Sequence, residues 1–594
     1  MAAPVAVALV LACGSSSESE QDKEDQPAGQ TEGKATTTGQ SEETEELKPI
    51  EWEIGKRGGQ FVYATISPPK SFNAIVSNES SSSMVLSYIY EGLTTSDPVT
   101  SEVIPHLAKS WDVSEDGLTY TFHLREDVKW NDGQPLTAED VEFTFNDLIY
   151  NDKIQNAARN IFTIAGQQIK VTALDKYSVQ FVLPTKFAPF LRAVGMDVLP
   201  KHALKGIVDR GEFEYSLGID AKPEDIIGTG AFMLERYVPG QRVTLKRNPQ
   251  YWKRDEAGDR LPYLDRVIIE IVQNLDVPVM KFKAGELDYL TPRGEDYPDL
   301  KPLEKARKFK LYITGINRGS QFLFFNQNTG KNKEGQPYVD PVKLKWFRNV
   351  KFRQAVSCAI DRQSMVNVLM NSLGVPQWSP VGPGSPFFHN PDVPKYPYDA
   401  AKAKEILAEA GFKDTDGDGI AEDPDGNKVE FNLTTNSENT VRIKMAEMIR
   451  KDLENIGFKV HFLPQQFNML VSKLDSSFDW QAMILGLTGG IEPHFGNNVW
   501  QTTGHTHMWF PRQKEPSTEW EARINKLFDM GVQELDPQKR KKIYDEWQVV
   551  AAEQLPFIYT VLQKRIEAIR DGLGNIHPTS YAGAMHSIER IYWK

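Results

Sequence analysis

From Thr119 to Phe145 the chain reads TYTFHLREDVKWNDGQPLTAEDVEFTF, and its apolar positions change period partway along. Tyr120, Phe122 and Leu124 alternate with Thr121, His123 and Arg125, the period of two that gives a strand one buried and one wet face, and Val128 and Trp130 continue it. Asn131-Asp132-Gly133 supplies a turn, because Gly tolerates positive φ and the Asn and Asp side chains bond nearby backbone. Thr137 then offers a hydroxyl to a helix N-terminus with Asp140 three residues on, and Val141, Phe145, Leu148 and Ile149 follow at helical spacing. On this reading His123, Asp132 and their charged neighbours punctuate a fold and form no active site.

The same patterns predict further strands at 60–66, 168–183 in two pieces, 231–246 in two pieces, 267–272 and 311–326. Helices are expected near 84–92, 137–149 and 274–285, and the character turns more helical after 326, with candidates at 349–371, 399–410, 437–456, 518–533 and 537–554. Two carry clear start and stop signals. Asp399 caps YDAAKAKEILAEAG and Gly411 ends it. In SENTVRIKMAEMIRKDLENIGFKVHF a stripe of Val441, Met445, Met448, Leu453 and Ile456 stops at Gly457, and Phe458, Val460 and Phe462 then alternate as a strand. A helix delivering straight into a strand is half of an α/β unit. Residues 555–571 return to the β-rich character of the first part.

At about 150 residues per domain, a chain of 594 residues has room for about four units or fewer large ones. The net charge of −13 is unevenly placed: from Gly14 to Ile50 ten acidic residues face three basic ones, a local net of −7, in a stretch with no apolar period. That segment reads as a disordered tether, with ends about 35 Å apart on flexible-coil statistics. No basic cluster lies on a helix or strand, which excludes a nucleic-acid binder. Aromatics at 10% of the residues suit a protein that buries something flat or apolar.

Ahead of the tether, MAAPVAVALVLAC is too short to span a bilayer as a helix, and Val10-Leu11-Ala12-Cys13 resembles a bacterial lipoprotein signal, in which the cysteine becomes the lipid-modified N-terminus. Cys358, the other cysteine, falls on the buried face of a helical pattern. With Cys13 committed to lipid, no intramolecular disulfide is available.

Motifs for catalysis are missing. No GxSxG elbow occurs, and Gly228-Thr229-Gly230 lacks the third glycine and the helix of a dinucleotide site. Asp414, Asp416, Asp418 and Gly419 open a calcium-loop pattern with Asp425 at its twelfth position, but Asp is not the bidentate Glu preferred there and the glycines form turns equally well. His505 and His507 share a strand face in GHTHMW without a third or fourth ligand. The expectation is no catalytic residue, no cofactor and no metal.

The stretch PHLAKSWDVSEDGLTYTFHLREDVKWNDGQPLTAEDVEFTF (105–145) closely resembles the signature of bacterial ABC-transporter solute-binding proteins of the peptide/oligopeptide family. IGTGAFMLERYVPGQRVTLKRNPQYW (227–252), NVKFRQAVSCAIDR (349–362) and YDAAKAKEILAEAGFKDTDGDGIAED (398–423) resemble further family segments in the family's order, and the last favours a hairpin over a calcium loop. The resemblance implies an α/β two-lobed clamshell of the periplasmic-binding-protein type with mixed sheets. Its limits would be 1–13 signal, 14–57 tether, 58–315 first lobe with a β-rich subdomain inserted at about 95–220, 316–552 second lobe, and 553–594 returning to the first.

Implied function is capture of a peptide or peptide-like solute on the periplasmic or cell-surface side of the cytoplasmic membrane, and its delivery by a lipid-anchored monomer to an ABC permease and its ATPases. Oligosaccharides and metal chelates are alternative ligands on this scaffold, and a sensor feeding a receptor is an alternative output. Family members that bind peptides add the ligand as a strand. The matching segment is ILGLTGGIEPHFGNNVW (484–500), with Leu487, Thr488 and Gly489 as the augmenting strand. Members that grip a free α-amine place an Asp shortly after it; here Gly490 stands there, leaving Glu492 as the nearest carboxylate, with Trp500 and Trp509 as expected pocket walls.

Overall fold

The structure is a computed structural model and describes residues 49–594; Cys13 and residues 14–48 of the tether lie outside the described residues. The alternating segment forms the strand Thr119–Leu124, with Phe122 and Leu124 fully buried. It pairs antiparallel with Ala108–Val113 on one side and Ser178–Val182 on the other, bringing Phe122 opposite both Trp111 and Val179. Gly133 turns the chain at φ 93°, and Thr137 and Asp140 form a capping box on the helix Ala138–Phe143. The expected continuation to 149 is a π-helix, Thr144–Ile149, in which the Thr144 hydroxyl donates to the Asp140 carbonyl at 2.8 Å. This wider turn buries Phe145, Leu148 and Ile149 together.

Two further sheets build the first part of the molecule. In one, Gln60–Thr65 runs parallel to Arg266–Ile271, followed by Arg242–Arg247 and Phe232–Val238. In the other, the long strand Val561–Arg570 lies between Tyr289–Leu290 and Phe309–Ile316.

A five-stranded mixed sheet organises the rest, in the order Lys459–Phe462, Glu430–Thr434, Ala482–Leu487, Ser320–Phe325 and Ile558–Tyr559. The helix Thr440–Glu454, capped by Asn439 and ended at Gly457 with φ 93°, connects the two parallel strands at 430–434 and 459–462 as an α/β crossover. Both faces of this sheet are covered. Leu323, Phe325 and Ile484 enter one core with the crossover helix, while Phe322, Phe324, Met483 and Leu485 enter a second, aromatic core on the opposite face. Burial on both faces explains the unbroken apolar run of Phe322 to Phe325.

The expected helix 349–371 is two helices, Val350–Ala359 and Arg362–Leu369. They part at Asp361, whose side chain accepts from the Ser364 N–H at 2.9 Å and caps the second. Cys358, 4% exposed, sits at the end of the first with its thiol against the carbonyls of Pro397 and Asp399, and burial pushes its pKa up.

The chain thus makes a two-lobed clamshell that crosses between sheets at 316–320 and again at 559–561. The lobes touch on both flanks. Asn497 donates to the Asn160 carbonyl at 2.7 Å and Ala188 N–H to the Val532 carbonyl at 2.8 Å on one; Arg293 meets the Thr440 hydroxyl at 2.8 Å on the other. Among the described residues no helix is long and apolar enough to cross a membrane.

Candidate ligand cleft

The Ala482–Leu487 strand carries the candidate site because its two edges differ. Along one edge it pairs with Ser320–Phe325 throughout, Ser320 opposite Leu487 and Phe325 opposite Ala482. Along the other it pairs with Glu430–Thr434 only at Ala482 and Met483, and the Thr435 hydroxyl takes the Ile484 carbonyl at 2.7 Å. Beyond that point, no strand among the described residues pairs with this edge.

Past Leu487 the chain continues as exposed Thr488, Gly489 and Gly490. Gly489 is required there: a Cβ on it would stand 1.8 Å from the Arg318 carbonyl oxygen. The backbone of Arg318 and Gly319 therefore closes one side of the segment. Arg318 is itself fixed, donating Nε to the Gly384 carbonyl at 2.9 Å and lying 4.5 Å from the Tyr581 ring centroid. The Ser385 hydroxyl donates to the Gly490 carbonyl at 3.0 Å. Thr488 and Gly489 thus follow directly on the strand end at Leu487, exposed on the side away from Arg318 and Gly319.

Glu492, the carboxylate expected to serve as an amine anchor, is paired inside the protein. Arg540 donates Nη1 to Oε2 at 2.9 Å and Nη2 to Oε1, and Oε1 also accepts the His494 N–H at 3.0 Å, capping the short helix Pro493–Gly496. Both oxygens are engaged. Trp500 and Trp509, expected as pocket walls, are 5% and 0% exposed, their ring centroids lie 5.5 Å apart, and both pack on Phe557 inside the aromatic core. Their indoles fill the space beneath the sheet.

His505 and His507 lie in turns and share no strand. Each nitrogen of the buried His507 ring has a partner, the Val499 carbonyl at 2.8 Å and the Gln513 side chain at 2.9 Å, and burial is the first cause of a pKa lowered to about 4.

Pattern reading missed Arg442. It stands in the first turn of the crossover helix, where a cation is disfavoured by the helix dipole, and that misplacement is the signal available in the sequence. Its guanidinium reaches the free edge. A Cβ on Gly486 would lie 2.6 Å from Nη2, while Nε donates to the Gln321 amide oxygen at 3.2 Å and Nη1 to that of Asn436 at 3.0 Å. Desolvation lowers its pKa to about 10, so it remains cationic at neutral pH. A partly exposed cation held by neutral amides beside an open strand edge is suited to receive an anion.

The geometry fits what the chain resembles. A family model described as bacterial extracellular solute-binding proteins, family 5 middle, matches residues 102–508. A probable ABC transporter-binding protein of Deinococcus radiodurans is 32% identical, over 87% of this chain and 89% of that protein. The structure of the oligopeptide-binding protein AppA from Bacillus subtilis in complex with a nonapeptide superposes with TM-score 0.78 at 26% identity, covering 91% of this chain and 100% of that one. In fold alone, the periplasmic binding protein MelB from Agrobacterium fabrum, solved with stachyose, is similar at TM-score 0.79 and 22% identity, covering 91% and 86%. The protein belongs to the bacterial extracellular solute-binding proteins of family 5.

Proposed function

We propose that this protein captures a peptide or peptide-like solute outside the cytoplasmic membrane and delivers it to an ABC permease driven by its ATPases. The observation that carries the reading is the unpaired edge of the Ala482–Leu487 strand, prolonged through Gly490 and flanked by Arg442. A peptide added there gains main-chain hydrogen bonds without a required side-chain sequence, and Arg442 supplies a counter-charge for a carboxylate. The relative AppA, an oligopeptide-binding protein, supports this ligand class. We take 58–315 with 553–594 as one lobe, bearing the inserted subdomain at about 95–220, and 316–552 as the other. The protein acts as a monomer, performs no catalytic step and is held to the membrane by lipid at Cys13.

The test is native mass spectrometry of the purified full chain, followed by calorimetry with peptides, galactosyl oligosaccharides and a nickel–histidine chelate. Peptide masses in the retained fraction and binding of peptides alone are expected. Retention of an oligosaccharide or a chelate, with peptides giving no heat, overturns the reading.

A further inference from the structure

Residues 413–428 connect the helix Ala400–Glu409 to the five-stranded sheet through a hairpin in which Lys413 pairs with Glu422, and Glu422 with Lys428. The sequence pattern made Asp425 the closing ligand of a calcium loop. In the fold Asp425 turns away onto Lys345, 2.7 Å distant, and Glu422 takes the closing place. One carboxylate oxygen from each of Asp414, Asp416, Asp418 and Glu422 stands within 4.8 Å of the others.

Glu422 separates this cluster from an ordinary acidic turn. The residue is 4% exposed, and its Oε2 accepts the Thr415 N–H at 2.7 Å and the Thr415 hydroxyl at 2.8 Å. Its Oε1 is buried with no donor. A buried anionic oxygen without a partner is unfavourable unless a cation meets it. Among the described residues the cation paired with this cluster is Lys428, whose ammonium lies 2.9 Å from Asp416 and also against Asp418. One ammonium, on a side chain 41% exposed, is shared by Asp416 and Asp418 in a cluster of four carboxylates.

We propose that Asp414, Asp416, Asp418 and Glu422 form a calcium site in the second lobe, with Lys428 as an internal cation that swings out when the metal enters. The donors are all oxygens, with no imidazole or thiolate, which selects a hard cation. Calcium accepts six to eight oxygens in irregular arrangements, whereas magnesium demands near-ideal octahedral geometry and keeps its waters. Extracellular modules hold calcium with Kd of roughly 10⁻⁴–10⁻³ M, which suits a family that works outside the cytoplasm. None of the four residues belongs to the ligand cleft. The metal would tie the hairpin between helix and sheet and take no part in solute capture.

Calorimetry on the chelator-stripped full chain with calcium chloride tests the assignment, paired with thermal melts. One calcium per chain and a raised Tm are expected. Asp416→Asn, at an exposed position, should weaken binding about tenfold or more, and Lys428→Gln should tighten it severalfold by removing the competing ammonium. No heat and no Tm shift up to about 10 mM calcium overturns the proposal. So does binding that Asp416→Asn and Glu422→Gln both leave unchanged, which assigns the metal to the acidic residues of 14–50 instead.

Discussion

Arg540, on the helix Pro537–Gln554, holds both oxygens of Glu492, with Nη1 2.9 Å from Oε2 and side-chain exposures of 9% and 5%. Arg540 also donates Nε to the Gly531 carbonyl at 2.8 Å, so the pair locks the turn after the candidate ligand strand to the helical face behind it. Glu492→Gln leaves a buried guanidinium without its counter-charge, which costs about 3–5 kcal/mol. Denaturant unfolding should read that loss. Because the carboxylate is already engaged, N-acetylating a peptide should leave its affinity for the wild-type protein within about twofold. A large loss on acetylation would mean that the Arg540 pair opens to admit the ligand.

Arg442 has no acidic partner among the ion pairs of the described residues and is held by the side-chain oxygens of Gln321 and Asn436. Arg442→Gln should therefore weaken peptides with a free C-terminal carboxylate about thirtyfold, the effect of truncating one partner of a desolvated charge pair. C-terminally amidated peptides should bind both proteins alike. Equal losses for acid and amide would reduce Arg442 to a support for the strand.

Local chemistry accounts for what was legible beforehand. The strand Thr119–Leu124 and the Thr137–Asp140 capping box depend on residues a few positions apart, so period and cap suffice to read them. The fold class followed from family segments that stand in order along the chain. The site was less legible, because its members gain their roles from distant partners. Nothing near Glu492 in sequence announces Arg540, 48 residues later. Trp500 and Trp509 belong to the core because Phe557 closes against them, and Glu422 displaces Asp425 because the hairpin register turns Asp425 onto Lys345. Alternation in GHTHMW looked like a strand, but tertiary bonds hold His507 in a turn.

His494 Nε2 meets the Ile161 carbonyl across the seam between lobes at 3.2 Å, and its Nδ1 is buried without a partner. Burial, the first cause, lowers its pKa from 6.5 to about 4. A histidine with a depressed folded-state pKa binds fewer protons folded than unfolded between those values. Its stabilising contribution is complete above pH 6.5 and drains away as the pH falls toward 4. Between pH 7 and pH 4, urea unfolding of the wild type should lose up to about 3 kcal/mol more than that of His494→Asn. Parallel profiles for the two proteins would contradict this.

The lipid at Cys13 is proposed from the apolar run before it and the acidic stretch after it. Cys13→Ser should move the protein from the membrane pellet into the soluble fraction without changing its affinity for peptide. An unchanged distribution after high-salt washing would require another anchor.

Gly490 offers a test by gain of function. A Cβ at Gly489 would strike the Arg318 carbonyl at 1.8 Å, whereas a Cβ at Gly490 meets nothing nearer than the Glu492 nitrogen at 3.9 Å, and its backbone lies outside the left-handed region. A side chain is therefore tolerated at one glycine and excluded at its neighbour. Gly490→Asp puts a carboxylate at the end of the strand edge, where the resemblance places the amine anchor in members that grip a free N-terminus. A ligand ammonium desolvated by lobe closure gains a counter-charge there that Glu492, taken by Arg540, does not provide. The variant should bind peptides with a free N-terminus about tenfold more tightly than their N-acetylated forms, while the wild type separates them hardly at all. Gly489→Ala should displace the strand and weaken both forms together. If Gly490→Asp instead treats the two forms alike while still binding them, the peptide N-terminus does not lie at this end of the strand.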